Sequence, residues 1–198
     1  DALVVIHDET VDRTTNGEGI GGQQDWRLLS QLDAGAWHSR GFAGEPLATL
    51  RAVAAYCLAN ACWLNIEIKP TPGLERVTGE VVAKEAAALW ASSFSDSPLL
   101  TSFQPEALQG AREAAPDLPR GLLLDTLWDG WLEAATELGC VAIVCNHALW
   151  DRSSVTQAQS AGFRCLSYTV NDEWAARRLI DLATDGIITD RVDLFSPI

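Results

Sequence analysis

Methionine is missing altogether from these 198 residues, histidine occurs three times, and lysine plus arginine number 14 against 27 acids. The net charge of −13 disfavours a surface that tracks nucleic-acid phosphates or an anionic membrane, so the expected partner is a small molecule and no nucleic acid. No window of about 18 uncharged apolar residues occurs, which removes a membrane-spanning helix. Asp1 opens no basic-then-apolar leader, and a chain without methionine has no start residue of its own. It is therefore read as a fragment lacking an N-terminal part. The five cysteines are odd in number and mostly lie in apolar runs, which points to reduced, buried thiols and a cytoplasmic setting. Two C-x4-C spacings lack a histidine placed to complete a zinc site.

What is present is enough for a core. Hydrophobic residues make up 47% of the chain, and one folded domain spanning residues 1–198 is expected. From Leu64 onward, short apolar segments alternate with longer helix-like stretches. Candidate strands are Leu64 to Ile68, Leu99 to Phe103, Gly121 to Leu124, Val141 to Cys145, Arg164 to Val170 and Gly186 to Thr189. From Leu99 their starts are separated by 22, 20, 23 and 22 residues, room for one helix and two short loops. Helical spacing groups Leu50, Val53, Ala54 and Cys57 on one face, and Val77, Val81 and Ala88 on another. Pro105 suits a first helical turn, and Asn171-Asp172-Glu173 reads as a helix start. Such βα alternation forces a parallel α/β sheet, either doubly wound or closed into a barrel, with ligands gathered at the carboxyl ends of the strands.

Those ends carry the chemistry. An apolar strand, Leu3 to Ile6, delivers His7 and Asp8 together, and Asn65-Ile66-Glu67-Ile68-Lys69 sets a carboxylate and an ammonium on one strand face. Further ends present Ser102 and Phe103, Asp125, Asn146 and His147, Thr169 and Asn171, and Asp190. The combination suggests an acid–base histidine beside a metal or phosphate site. Gly17-Glu18-Gly19-Ile20-Gly21-Gly22 fits the letters of a dinucleotide fingerprint, but it neither leaves a strand directly nor opens a helix, and reads as a loop.

His7-Asp8-Glu9-Thr10-Val11-Asp12-Arg13-Thr14-Thr15-Asn16-Gly17, Asn65-Ile66-Glu67-Ile68-Lys69-Pro70, Thr101-Ser102-Phe103, Tyr168-Thr169-Val170-Asn171 and Gly186-Ile187-Ile188-Thr189-Asp190, in this order, resemble the glycerophosphodiester phosphodiesterases. Ala114 to Leu124 and Leu138 to Cys140 add a likeness to the cytoplasmic bacterial branch associated with glycerol 3-phosphate uptake. The resemblance implies a TIM (β/α)8 barrel of the phospholipase-C-like phosphodiesterase type with its first two βα units missing here. It implies hydrolysis of glycerophosphodiesters to sn-glycerol 3-phosphate and an alcohol, with a divalent cation, Mg2+ first and Ca2+ or Mn2+ as substitutes. His7 would be one of two acid–base histidines and Glu67 one of three metal carboxylates. Lys69, Arg13, Ser102, Phe103, Tyr168 and Asn171 would contact substrate or phosphate. The family's His-Arg-Gly and Glu-x-Asp motifs do not occur in this sequence, so the fragment alone is expected to be inactive.

Each assignment competes with a plainer one. His7 could be a solvated loop histidine, Glu67 could merely pair with Lys69, Asp8 and Arg13 could be a turn and its ion pair, and Asn171 could be a helix cap. His38 reads as a surface or packing residue, and His147 as mainly structural. Tyr168 stands where many relatives carry Trp. Two other functions compete: a lysophospholipase D of the same family, which an apolar collar on the missing or the Gly17 to Gly44 loops would favour and the acidic composition disfavours, and a non-catalytic binding protein on a decayed barrel.

Overall fold

The computed structural model describes residues 2–93 and 97–195. Six strands form one parallel sheet: β1 Asn65–Glu67, β2 Leu99–Ser102, β3 Arg120–Leu124, β4 Ala142–Asn146, β5 Arg164–Tyr168 and β6 Gly186–Ile187. Helices α1 Trp26–Leu29 and α2 Leu50–Ala59 precede β1. The helices between the strands are α3 Glu75–Leu89, α4 Pro105–Ala114, α5 Trp131–Glu137, α6 Arg152–Ser160 and α7 Glu173–Asp181. Local chemistry sets the helix starts. Pro105 occupies the first turn of α4, Asp151 and Ser154 form a capping box on α6, and Asp172 accepts from Ala175 N at the start of α7. The strand segments expected from Leu64 onward appear in order, most of them trimmed by one or two residues at an end.

Strand order settles the alternative that spacing left open. The six strands lie in sequence order, β1 to β6, without the reversal of a doubly wound sheet. Right-handed crossovers in one direction put every helix on the same face, so the other face is buried only if the sheet curls. The outward positions Ile68, Leu100, Leu122, Ile143, Cys145 and Cys165 pack into two clusters with the helices. The opposite positions Thr101, Leu123 and Val144 are buried as well, at 0%, 5% and 0% exposure. The sheet is thus a curled, TIM-barrel-like α/β half-barrel. Among the described residues β1 and β6 each have one neighbour.

Two expectations are corrected. Leu3 to Ile6 is not a sheet strand: Val4 makes a single antiparallel bridge to Thr49, while Val5 N donates to Ala48 O and Leu50 N to Leu3 O. Its backbone groups are satisfied by the segment entering α2 instead of by β1. On α3 the buried face is Gly79, Val82, Ala83 and Ala86, whereas Val77, Val81 and Ala88 are exposed. The reason is backbone proximity: a Cβ on Gly79 would stand 1.9 Å from Ala107 O, so α3 turns the face carrying its smallest residue, and not that of Val77 and Val81, to α4.

Candidate active site

At the carboxyl end of β1 the chain passes close to the segment that follows Leu3 to Ile6. A cleft of about 1100 Å³ separates them, lined by His7, Asp8, Glu67, Lys69 and the apolar Ile6 and Ile66 among others. Lys69 joins the two walls: its Nζ donates to His7 O at 2.8 Å and lies 3.6 Å from Glu67 Oε1. Lys69 follows β1 and is not part of it, yet its ammonium returns to Glu67 as the two-residue offset implied. An ammonium carries three donors, so with one on His7 O and Glu67 held as an ion pair an N–H remains for a substrate oxygen.

His7 stands with its side chain 76% exposed. Its Nδ1 lies 2.7 Å from Asp8 Oδ1, leaving Nε2 as the nitrogen available to a ligand. Arg13 closes a fork on the same carboxylate, Nε to Oδ2 at 2.5 Å and Nη2 to Oδ1 at 2.9 Å. The Arg13 guanidinium, then the His7 ring, hold the Asp8 carboxyl far below the ordinary aspartate range. Asp8 is therefore a fixed anion at all but strongly acidic pH. Arg13 also lies over the Trp37 ring, 5.8 Å from its centroid.

The other predicted contacts separate by strand parity. Neighbours in parallel register face the same way, and Glu67 pairs with Thr101, which puts Phe103 on the Glu67 face and Ser102 on the helix face. Ser102 is fully buried, its Oγ donating to Ile68 O at 2.7 Å and accepting from Gln104 N. Ser102, expected among the substrate contacts, thus braces β1 from behind, and of the two only Phe103 shares the Glu67 face. Tyr168 does share the concave face, ring edge to Phe103 at 5.7 Å between centroids and hydroxyl donating to Leu124 O. Burial, then the charges of Asp125, Cys145 and Glu67, push its hydroxyl up to about 12, so it stays neutral. Asn171 is not the cap of α7, a part taken by Asp172. Its Oδ1 accepts from Thr189 Oγ1 and Asp190 N and its Nδ2 donates to Asp190 Oδ2, tying the loop after β5 to that after β6.

The remaining histidines behave as packing groups. His38 sets its edge against Trp37 and Phe42, and His147 has a buried Nδ1 with no hydrogen-bond partner among the described residues. For a divalent cation the donor set falls short: among the described residues no group of three or more His, Cys, Asp or Glu side chains is placed to hold a metal. Glu67 offers one hard oxygen donor, already facing Lys69, where Mg2+ asks for an octahedron of oxygens.

A family model for the "Glycerophosphoryl diester phosphodiesterase family" matches residues 1–194. The chain belongs to this family. It is 33% identical over 193 residues to the glycerophosphodiester phosphodiesterase of Caldanaerobacter subterraneus subsp. tengcongensis, a match covering 95% of this chain and 76% of that protein. A glycerophosphodiester phosphodiesterase of Bacillus subtilis is 30% identical over 209 residues, covering 98% and 70%. Among solved structures, a phosphodiesterase of Oleispira antarctica in complex with the product sn-glycerol-3-phosphate superposes with a TM-score of 0.84 at 28% identity, over 94% of this chain and 75% of that one. The glycerophosphodiester phosphodiesterase of Agrobacterium tumefaciens gives 0.79 at 28% identity, over 100% and 81%. Membership makes the chain a phosphodiesterase by class, as its motifs implied.

Trp37 went unnoticed in the sequence. It reaches Arg13 through a loop, and no periodicity links the two positions.

Proposed function

We propose that the cleft hydrolyses glycerophosphodiesters to sn-glycerol 3-phosphate and an alcohol, with deacylated phospholipids such as glycerophosphocholine as substrates. The observation that carries this reading is the Lys69 ammonium, which bridges His7 O and Glu67 and so brings an acid–base group and a carboxylate to one opening. The named product in the Oleispira relative supports the substrate class.

In this mechanism Lys69 steadies a phosphoryl oxygen with its remaining N–H. The free glycerol hydroxyl forms a bond to phosphorus while the bond to the alcohol breaks. The departing oxygen takes a proton from His7 Nε2, and neutral His7 then removes a proton from the water that opens the cyclic phosphate. A transfer of this kind is worth about 10² to 10⁴ in rate. Deprotonation of the attacking hydroxyl falls, by resemblance, to a histidine of a His-Arg-Gly motif that this sequence does not contain. Phe103 and Tyr168 wall the concave side. A divalent cation at Glu67 is a proposal from the resemblance alone; among the described residues no group of three or more His, Cys, Asp or Glu side chains stands ready to hold it.

The sequential strand order supports reading the sheet as part of a phospholipase-C-like eight-unit barrel. The branch associated with glycerol 3-phosphate uptake is inferred from Ala114–Leu124 and Leu138–Cys140, two stretches that meet where Arg120 donates to Leu138 O and Leu118 O. A cytoplasmic, reducing setting is inferred from five free cysteines, with burial pushing the Cys140, Cys145 and Cys165 thiols up to about 12. No helix among the described residues is long and apolar enough to cross a membrane.

One observation favours the lysophospholipid alternative: the Gly17 to Gly44 loops expose Leu28, Trp37 and Phe42 at 64%, 52% and 52%. The test is a panel of glycerophosphocholine, glycerophosphoethanolamine, glycerophosphoglycerol and lysophosphatidylcholine given to the catalytically competent protein carrying this chain, assayed for released sn-glycerol 3-phosphate and, for the lysolipid, for choline and lysophosphatidic acid. Release from the first three supports the main reading. Turnover of the lysolipid alone, giving lysophosphatidic acid and choline, replaces it with the alternative.

A further inference from the structure

We propose that Trp37 is a positioning residue for His7, acting through Arg13 and Asp8; this rests on the reading of His7 as the acid–base group. The line of contact is continuous. Trp37 carries the Arg13 guanidinium 5.8 Å from its ring centroid, Arg13 grips both oxygens of Asp8, and Asp8 Oδ1 meets His7 Nδ1 at 2.7 Å.

An aspartate–arginine pair in the open would not suffice. The Arg13 side chain is 55% exposed, and such a pair spends most of its attraction on holding a long side chain still. A guanidinium held over an aromatic ring gives up part of that freedom to a third contact, which restrains the fork and with it the carboxylate. The aromatic must itself be held in place, and its loop supplies the hold. Trp37 Nε1 donates to Ala34 O at 2.8 Å, which aims the indole. Beneath it Asp33 gathers the loop: Oδ1 accepts from Gly35 N and Ala36 N, and Oδ2 from Gly44 N, each at 2.9 Å. Gly35 lies so near the returning strand of the loop that a Cβ there would be 1.9 Å from Phe42 O. A loop distant in sequence thus fixes which imidazole nitrogen holds the proton, with Nδ1–H on Asp8 and Nε2 free for substrate.

The experiment reads the imidazole directly. Full chain labelled with 15N-histidine is examined by long-range 1H–15N correlation at a pH where the ring is neutral, for wild type, Trp37→Ala, Trp37→Phe and Gly35→Ala. Wild type is expected to hold the Nδ1–H tautomer. Trp37→Ala and Gly35→Ala shift His7 toward the Nε2–H form, and Trp37→Phe restores it, because a phenyl face still carries the guanidinium. In the catalytically competent protein carrying this chain, kcat for glycerophosphocholine falls about tenfold in Trp37→Ala with KM unchanged, the mark of misplacement and not of lost binding. A wild-type His7 spectrum in both Trp37→Ala and Gly35→Ala overturns the proposal, most sharply if Asp8→Asn moves the tautomer. A tautomer shift with kcat intact keeps the positioning role and rejects His7 as the acid–base group instead.

Discussion

Residues 8–49 and residues 65–190 keep their shape by different physics. The second region is ladder and core: five parallel strand pairings and buried side chains such as Leu122, Ile143 and Trp150 at 0%, 0% and 1% exposure. The first contains two short 3₁₀ turns and the four-residue α1, and its own cluster is built on Val11, Leu29 and Leu47. Side chains bonding to backbone take the place of a ladder there. Asp12 accepts from Gly19 N, Asn16 Oδ1 from Asp33 N, and Asp33 from three amides. The proposed site draws on both, with Glu67 on a strand of the sheet and His7 at the mouth of the loops. A rigid scaffold thus sets the carboxylate, while exposed polar contacts, each individually weak, set the histidine.

The largest effects that would break this comparison are in rate. In the catalytically competent protein carrying this chain, His7→Ala is expected to lower turnover of glycerophosphocholine by about 10² to 10⁴ with the fold retained by circular dichroism, and Glu67→Ala to lower it as well; near-normal rates in both folded variants would end the site assignment. If the metal proposal holds, a chelator abolishes turnover and added Mg2+ restores it, without altering the His7 tautomer.

Stability effects come next and belong to the second region. Leu122→Ala should cost about 2–5 kcal/mol in urea titration, because a fully buried side chain leaves a cavity between sheet and helices. Gly79→Ala should cost about 1–3 kcal/mol, since α3 has to move off α4 to admit a methyl group. Leu28→Ala, on the exposed side of the loops, should stay within about 0.5 kcal/mol.

The smallest expected effect is on pH, and it sharpens the contrast. Asp8 is held low by Arg13 and His7, and Asp33 by the amides of Ala36, Gly35 and Gly44. Folded values below the unfolded 3.8 mean that both contribute stability above that pH and lose it as pH falls through the folded values. Amide signals of residues 33–45 and those around Asp8 should therefore begin to shift only below about pH 4, while those of β3 and β4 hold. Simultaneous loss of both sets would show that the loops have no separate acid response.

Composition and periodicity were enough for the alternation of strands and helices, because a residue's preference for ladder or helix and its hydrophobic spacing are local properties. The same holds for the Glu67 position at a strand end and the capping of α7, although the capping side chain is Asp172 and not Asn171. Parity within β2 could also have been counted in advance: Ser102 and Phe103, being adjacent, cannot share a face.

Tertiary structure alone decided the remainder. Leu3 to Ile6 has a strand's letters, but a strand exists only by its partner, and its partner is the Thr49 segment. On α3 two faces were open to burial, and the close approach of Gly79 to the backbone of α4 chose between them. The order β1 to β6, which makes the sheet curl, depends on crossovers that no single segment encodes. Trp37 meets Arg13 only because Asp33 folds the loop back, a contact between distant positions whose energy appears once the chain is already compact.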